Sequence, residues 1–138
     1  MSPRLPDGRG TALVVRTDFT DPAAWRRLCE AMATPSVEGF LPAVTPVDDP
    51  AFAGLALAEL TAQLPPGHSH PLLVLADRQT LADPELPLLA ACLHDPATPT
   101  VRVAAAVLWG IENNLAIRNT DFAEFARATG PDGVHRGF

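Results

Sequence analysis

A buried strand that leads directly into a capped helix constrains the fold of this chain more than any other stretch. Residues 11–19 (TALVVRTDF) open as an apolar run, which is typical of a strand buried on both faces in a parallel sheet. Asp21 is then predicted to cap a helix that has Pro22 in its first position. One apolar helix face follows at the spacing i, i+3, i+4 and i+7: Trp25, Leu28, Cys29 and Met32.

Four further stretches predict strands. They are residues 40–47, 71–76, 88–93 and 101–107, of which 88–93 is equally compatible with a buried helical turn. The second strand is expected to be short, irregular or near an edge, because Pro42 and Pro46 lack the N–H group that a ladder needs. The fifth strand is expected to run antiparallel to its neighbour, because the connection between them is short.

Helices are predicted between and after these strands. Their apolar positions are Leu57, Leu60 and Leu64 for a short second helix, Leu108, Ile111 and Leu115 for another, and Phe122 and Phe125 for the last. The alternation predicts one three-layer α/β domain over residues 11–138, with a mixed, mostly parallel sheet of about four to five strands and about three to four helices. Residues 1–10 are expected to form a flexible lead.

Composition narrows the classes of function. The net charge of −6 over 138 residues argues against a general nucleic-acid binder, which needs a basic face. No apolar run approaches the ~20 residues of a membrane span, and residues 1–10 lack the core of a signal peptide, so a cytoplasmic protein is expected. The chain has no P-loop and no G-x-G-x-x-G motif, and no cofactor is predicted. Cys29 and Cys92 are expected to be reduced core thiols.

Polar side chains collect where the predicted parallel strands end. If the first three strands are parallel, Asp18, Asp48 or Asp49, and Asp77 all fall at their carboxyl ends, where ligands bind in open α/β sheets. Crowded carboxylates can raise one pKa and leave a general acid beside a general base. Asp18, Asp48 and Asp77 are therefore the catalytic candidates, and Asp18 or Asp77 would transfer the proton.

The same carboxylates are also suited to an ion pair, a metal site or a helix cap. Arg16 and Arg78 lie close to them in sequence and either form ion pairs with them or hold an anionic substrate. Three carboxylates can also coordinate Mg²⁺, and Asp commonly caps backbone N–H groups at strand-to-helix turns. Capping or ion pairing ranks above a ligand site, and a ligand site ranks above a metal. No metal ligand is assigned.

The stretch 108–125 (LWGIENNLAIRNTDFAEF) holds polar residues between large apolar ones. It forms either a corner between two helices or the wall of a binding site. The candidates for orienting a substrate are Asn113, Asn114, Asn119 and Asp121, together with Arg16 and Arg78. The Asn side chains would equally well close a tight turn between the two helices.

Histidine and tryptophan favour structural roles. His68 and His70 form an H-x-H pair that can bind a transition metal, but no third ligand accompanies them, so two solvated loop histidines are predicted. Trp25 and Trp109 are predicted to be core residues rather than stacking platforms.

Several motifs carry a resemblance to a known family. The segments VVRTDFTDPAAW, VDDPAFAGL, ADRQTL, WGIENNLAIRNTDFAEFA and PDGVHRGF resemble a family of small actinobacterial proteins of unknown function over residues 13–138. The resemblance implies a compact cytosolic domain and supplies no activity or cofactor. It suggests testing the shared polar residues, namely Arg16, Asp18, Asp48, Asp49, Asp77, Arg78, Asn113, Asn114, Asn119 and Asp121.

Two functions from different classes follow. The first is a small non-redox enzyme or ligand-binding protein that acts on a small polar metabolite by acid/base chemistry, as an isomerase, cyclase or hydrolase would. The second is an acidic protein-interaction module, such as an immunity-like or regulatory partner, without catalysis. A concave site of about 300 Å³ or more around the Asp residues favours the enzyme, and an acidic surface with an exposed apolar patch favours the module.

The enzyme or ligand-binding protein is preferred by a small margin. Nucleic acid and membrane are not expected as partners, and a homodimer is left open.

Overall fold

One mixed sheet organises the molecule. The computed structural model describes residues 4–94, 99–116 and 122–137. Within these residues the strands are β1 (Ala12–Arg16), β2 (Val44–Val47), β3 (Leu72–Ala76), β4 (Leu88–Cys92), β5 (Val101–Val103) and β6 (Val134–His135). The α-helices are α1 (Pro22–Ala33), α2 (Leu57–Thr61), α3 (Arg78–Ala82), α4 (Leu108–Ala116) and α5 (Phe122–Arg127). Short 3₁₀ turns cover Pro50–Phe52 and Ala105–Val107.

The sheet has the strand order β2-β1-β3-β4-β5-β6. Strand β1 pairs in parallel with both β2 and β3, as predicted for the first three strands. Strand β4 is antiparallel to β3 and to β5, and β6 is parallel to β5. Five of the six strands therefore point the same way, and their carboxyl ends meet at one end of the sheet.

The α/β class is confirmed, and the number of elements is corrected. The described residues form six strands and five α-helices, one strand and one helix more than the sequence predicts. The additional elements are α3, which has five residues, and β6, which has two. Neither is long enough to show a hydrophobic period. Residues 88–92 form a strand and not a helical turn. The Asp83 side chain accepts a hydrogen bond from the Glu85 N–H group in a turn, and no helix begins there.

Both faces of the sheet are covered, which explains the continuous apolar strands. Every side chain of β1 is buried. Ala12 and Val14 belong to a core cluster with apolar residues of α1, α3, α4 and α5. Leu13 and Val15 face the opposite way, into a second cluster with Phe52 and residues of α2. Because side chains alternate between the two faces of the strand, one apolar run contributes to both hydrophobic cores.

Aspartate starts three of the helical segments, as the Asp-Pro pairs and the strand exits suggest. The Asp21 carboxylate accepts the Ala24 N–H at 3.0 Å, and Asp49 accepts the Ala51 N–H at 2.9 Å. Asp77 caps α3 in the same way. Among the described helices, none has the length and apolar character to cross a membrane.

The outermost strands are short or interrupted. Strand β2 lies at one edge of the sheet and contains Pro46, which has no backbone N–H to donate to a further strand. The strand predicted over residues 40–47 is confirmed only for Val44–Val47, and it is both short and at an edge, two of the three alternatives that its prolines indicate. The opposite edge is β6, which pairs only through Val134 and His135.

Candidate functional site

Asp77 lies at the carboxyl end of β3, and both its carboxylate oxygens accept hydrogen bonds. Oδ1 accepts from the Thr80 N–H at 3.1 Å and from Arg102 Nη1 at 2.9 Å, and Oδ2 accepts from Arg102 Nη2 at 2.8 Å. Burial opposes ionisation, but the bonds from Arg102 and Thr80 outweigh it, and the pKa of Asp77 is lowered. Arg102 was not among the sequence candidates, because its pairing with Asp77 depends on how β5 joins the sheet.

Arg16 and Asp48 form a second ion pair at the same end of the sheet. Arg16 Nη1 donates to Asp48 Oδ1 at 3.1 Å, and Nε donates to the Asp18 carbonyl at 3.1 Å. The Arg16 side chain is 8% exposed and that of Asp48 is 51% exposed. The guanidinium carbon lies 4.4 Å from the Phe19 ring centroid and 5.5 Å from that of Trp25. Aromatic rings therefore hold the guanidinium group in place.

Asp18 and Arg78 border a shallow depression of about 110 Å³, which Thr20 and Asp21 also line. The Asp18 carboxylate accepts the Thr20 hydroxyl at 3.0 Å. Arg78 is exposed. The structure therefore brings Asp18 and Arg78 together and leaves Asp48 and Asp77 in separate ion pairs. Across the described ranges, no group of three or more His, Cys, Asp or Glu residues is arranged to hold a metal ion.

A buried polar network lies at the opposite end of the sheet. Glu112 on α4 accepts the Ala43 N–H at 2.6 Å through Oε1, and its Oε2 is 2.9 Å from His70 Nε2. His70 Nδ1 accepts the Leu72 N–H at 3.0 Å, so the proton of the ring must be on Nε2. The prediction of two solvated histidines is therefore wrong for His70. Its partner is 42 positions away in the sequence, and local patterns cannot show such a pair.

The Asn candidates in the described part of α4 have structural partners. Asn113 Nδ2 donates to the Leu41 carbonyl at 3.1 Å and to Glu112 Oε1 at 3.0 Å. Asn114 Nδ2 donates to the Gly110 carbonyl, one turn earlier, at 2.7 Å. Asn119 and Asp121 lie outside the described residues.

One concave surface of the described residues was not predicted from the sequence. A groove of about 550 Å³ lies between the end of α1, the segment that follows it, and the start of α4. We call it the α1–α4 groove; its apolar lining is Ala31, Pro35, Val37, Ala106, Val107 and Trp109. Trp109 is half-buried and stacks on Phe40 with ring centroids 4.9 Å apart. Of the two Trp residues expected in the core, Trp25 is buried, while Trp109 belongs to this surface.

A second concavity lies on the other side of the same segment. This α1–β2 cleft has a volume of about 330 Å³, and its lining includes Cys29, Met32, Leu41, Pro42, Val44 and Pro46. Cys29 and Cys92 are both free, half-buried thiols. Burial raises the pKa of Cys29, Asp48 adds to the rise, and Arg16 opposes it. The Cys29 thiol is therefore within electrostatic reach of the Arg16–Asp48 ion pair.

Fold and site define the class of protein: a small α/β domain whose described residues form a six-stranded mixed sheet, with paired strand-end carboxylates and a preformed apolar groove. The chain belongs to the family described as Domain of unknown function (DUF6924), whose model matches residues 11–138. This agrees with the resemblance of the sequence motifs to an uncharacterised family. No curated protein matches the chain.

Proposed function

We propose that the protein is a protein-interaction module whose α1–α4 groove binds an apolar segment of a partner protein. The observation that carries the proposal is the exposure of large apolar side chains beside the groove. Val37 is fully exposed, Phe40 is 47% exposed and Leu41 is 45% exposed. Single exposed apolar residues are ordinary, but a contiguous apolar patch marks an interaction site.

The segment that carries these residues is held in place rather than loosely extended. The Ser36 N–H donates to the Phe40 carbonyl at 2.8 Å, and the Ser36 hydroxyl accepts the Phe40 N–H at 3.0 Å. At its far end, the segment is bonded to Asn113 through the Leu41 carbonyl and to Glu112 through the Ala43 N–H. A surface ordered before binding loses less conformational entropy when the partner arrives.

Charge favours a basic partner. The chain carries a net charge of −6, and Glu38 lines the groove beside its apolar residues. A negative surface attracts a cationic partner and repels an anionic one. The partner segment is therefore one that places an apolar side chain in the groove and an Arg or Lys near Glu38.

An acid/base enzyme is the alternative function and has less support. The depression that Asp18 and Arg78 border measures about 110 Å³, whereas small-molecule sites usually exceed about 300 Å³. Asp77 has hydrogen-bond donors on both oxygens, and Asp48 is paired with Arg16. Asp48 and Asp77 are better placed to hold the sheet together than to transfer protons.

The test compares two matched surface substitutions. Val37→Asp places a charge beside the groove, and Ala58→Asp places the same charge on α2, which packs on the other face of the sheet; both residues are exposed. A partner captured by the wild-type chain in cells of the source organism is identified, purified and measured by calorimetry. We expect binding to weaken about thirtyfold or more in Val37→Asp, as at an interface hot spot, and to be unchanged in Ala58→Asp.

Equal unfolding temperatures of the two variants would show that the fold is intact. A purified partner that binds Val37→Asp and Trp109→Ala as tightly as the wild type would overturn the proposal. Turnover of a metabolite that is lost in Asp18→Asn would instead favour the enzyme.

A further inference from the structure

The α1–β2 cleft is an apolar concavity that lies close to a buried cation, Arg16. Its apolar wall includes Met32, Leu41 and Val44 within a volume of about 330 Å³, at the lower end of the range of about 300–1,000 Å³ for small-molecule sites. Strand β2 is the outermost strand of the sheet, so no further strand of the described chain covers this side of the cleft.

Arg16 is the last residue of β1, the strand that pairs with the β2 wall of this cleft. Cys29, in the cleft wall, is within electrostatic reach of Arg16 and Asp48. Pro46, also in the wall, pairs with Val14 on β1, and Arg16 follows Val14 by two positions, so the side chains of Val14 and Arg16 lie on the same face of β1. The β2 wall of the cleft thus lies beside the Arg16–Asp48 ion pair.

The hydrogen bonds of Arg16 allow another carboxylate to replace that of Asp48. Its side chain is 8% exposed, with one carboxylate contact, from Nη1 to Asp48 Oδ1 at 3.1 Å. In the described part of the chain, Nη2 donates to no acceptor. A guanidinium group binds a carboxylate best through two parallel N–H bonds. Asp48 makes only one and is 51% exposed, so it can turn into solvent when another carboxylate takes both nitrogens.

We infer that the α1–β2 cleft binds a small apolar monocarboxylate, whose hydrocarbon part occupies the cleft and whose carboxylate displaces Asp48 from Arg16. The inference is independent of the α1–α4 groove. Asp48 is then a tethered counter-ion that neutralises Arg16 in the free protein and competes with the ligand. Removing the competitor should tighten binding, an effect that a purely structural ion pair would not produce.

Calorimetry with octanoate tests this inference, with octanol as the neutral ligand of the same chain length. Octanoate is expected to bind, and octanol to bind at least tenfold more weakly. Asp48→Asn should tighten octanoate binding by about two- to fivefold, the range that corresponds to a partly exposed ion pair. Asp49→Asn is the matched control, because Asp49 carries the same charge and caps the Pro50–Phe52 turn without bonding to Arg16.

Alkylation followed by peptide mass spectrometry locates the ligand. Octanoate should slow the modification of Cys29, which lines the cleft, and leave Cys92 on β4 unaffected. Arg16→Gln should abolish binding, but Arg16 is buried and its loss can prevent folding, so the result with Asp48→Asn decides. Three results would each overturn the inference: no octanoate binding to either the wild type or Asp48→Asn, equal binding of octanol, and equal tightening in Asp48→Asn and Asp49→Asn.

Discussion

Replacing Glu112 by Gln changes one buried oxygen into an amino group at the centre of the network that joins α4 to the sheet. Glu112 and His70 have side chains that are 3% and 2% exposed. The carboxylate accepts hydrogen bonds from Ala43, Asn113 and His70. Because a carboxylate has only acceptor atoms, all three contacts are satisfied in the wild-type protein.

The Gln side chain cannot satisfy the same three donors. If its oxygen accepts the Ala43 and Asn113 N–H groups, its amino group faces the N–H of His70 Nε2. The ring cannot move its proton to Nδ1 without losing the Leu72 N–H bond. Two donors would then face each other in a site that water does not reach, and the bond to the charged carboxylate would be lost.

The expected loss of stability is about 2–4 kcal/mol, because a charge-assisted bond is lost and a buried donor is left without an acceptor. For a chain of this size, this corresponds to a fall in Tm of roughly 6–15 °C. Glu112→Ala should cost about 3–5 kcal/mol, because it also leaves a cavity and the Ala43 N–H without an acceptor. Urea unfolding followed by Trp fluorescence measures these differences.

Glu124→Gln is the matched control, because Glu124 is exposed on α5, and its effect should stay within about 0.5 kcal/mol. Nitrogen NMR shifts of the His70 ring report the proton position directly. A Glu112→Gln protein with the urea midpoint of the wild type, or a ring proton found on Nδ1, would refute the role assigned to this network.

Three further predictions concern the carboxyl end of the sheet and the cleft. The pKa of Asp77 is lowered in the folded state, so its ion pair with Arg102 stabilises the fold at pH values above the unfolded-state pKa of about 3.9. This stability is lost as the pH falls through the lower pKa of the folded state. Asp77→Asn should therefore make Tm depend less on pH in the acid range. Thr80 is fully buried and bonded to Asp77, and Thr80→Val should lower the free energy of unfolding by about 1–3 kcal/mol in urea. Burial, and to a smaller extent Asp48, raises the pKa of Cys29, so little of the thiol is thiolate at neutral pH. Its alkylation, measured by peptide mass spectrometry, should be slow and should accelerate in Asp48→Asn. An unchanged rate would count against the proximity of Cys29 to Asp48.

The fold was predictable where physical patterns are local. The apolar run before Arg16 predicts β1, and Asp21 with Pro22 predicts the start of α1 to the residue. The elements missed were α3, with five residues, and β6, with two, which are too short for a hydrophobic period and depend on tertiary contacts. Strand order was also beyond the sequence, because it is set by packing between distant segments.

The sequence predicts that acidic residues lie at the strand ends, but it does not predict the residues with which they form ion pairs. Asp18, Asp48 and Asp77 do lie at the carboxyl ends of parallel strands, as the alternation of strands and helices implies. The partner of Asp77 is Arg102, which is 25 residues away, and no local spacing indicates it. The α1–α4 groove was not predicted, because its shape depends on how α1 and α4 approach each other. The hydrophobic periodicity of a sequence contains no information about that approach.

Pro46 has a consequence for the behaviour of the protein at high concentration. The central strands are apolar runs of the kind that forms cross-β fibrils when an unpaired edge offers a template. Here one edge strand is interrupted by a residue without an N–H group, and the other pairs through two residues. Polymerisation by addition of strands from other molecules therefore finds no continuous row of donors and acceptors along β2, and a concentrated solution of the folded protein should resist fibril growth.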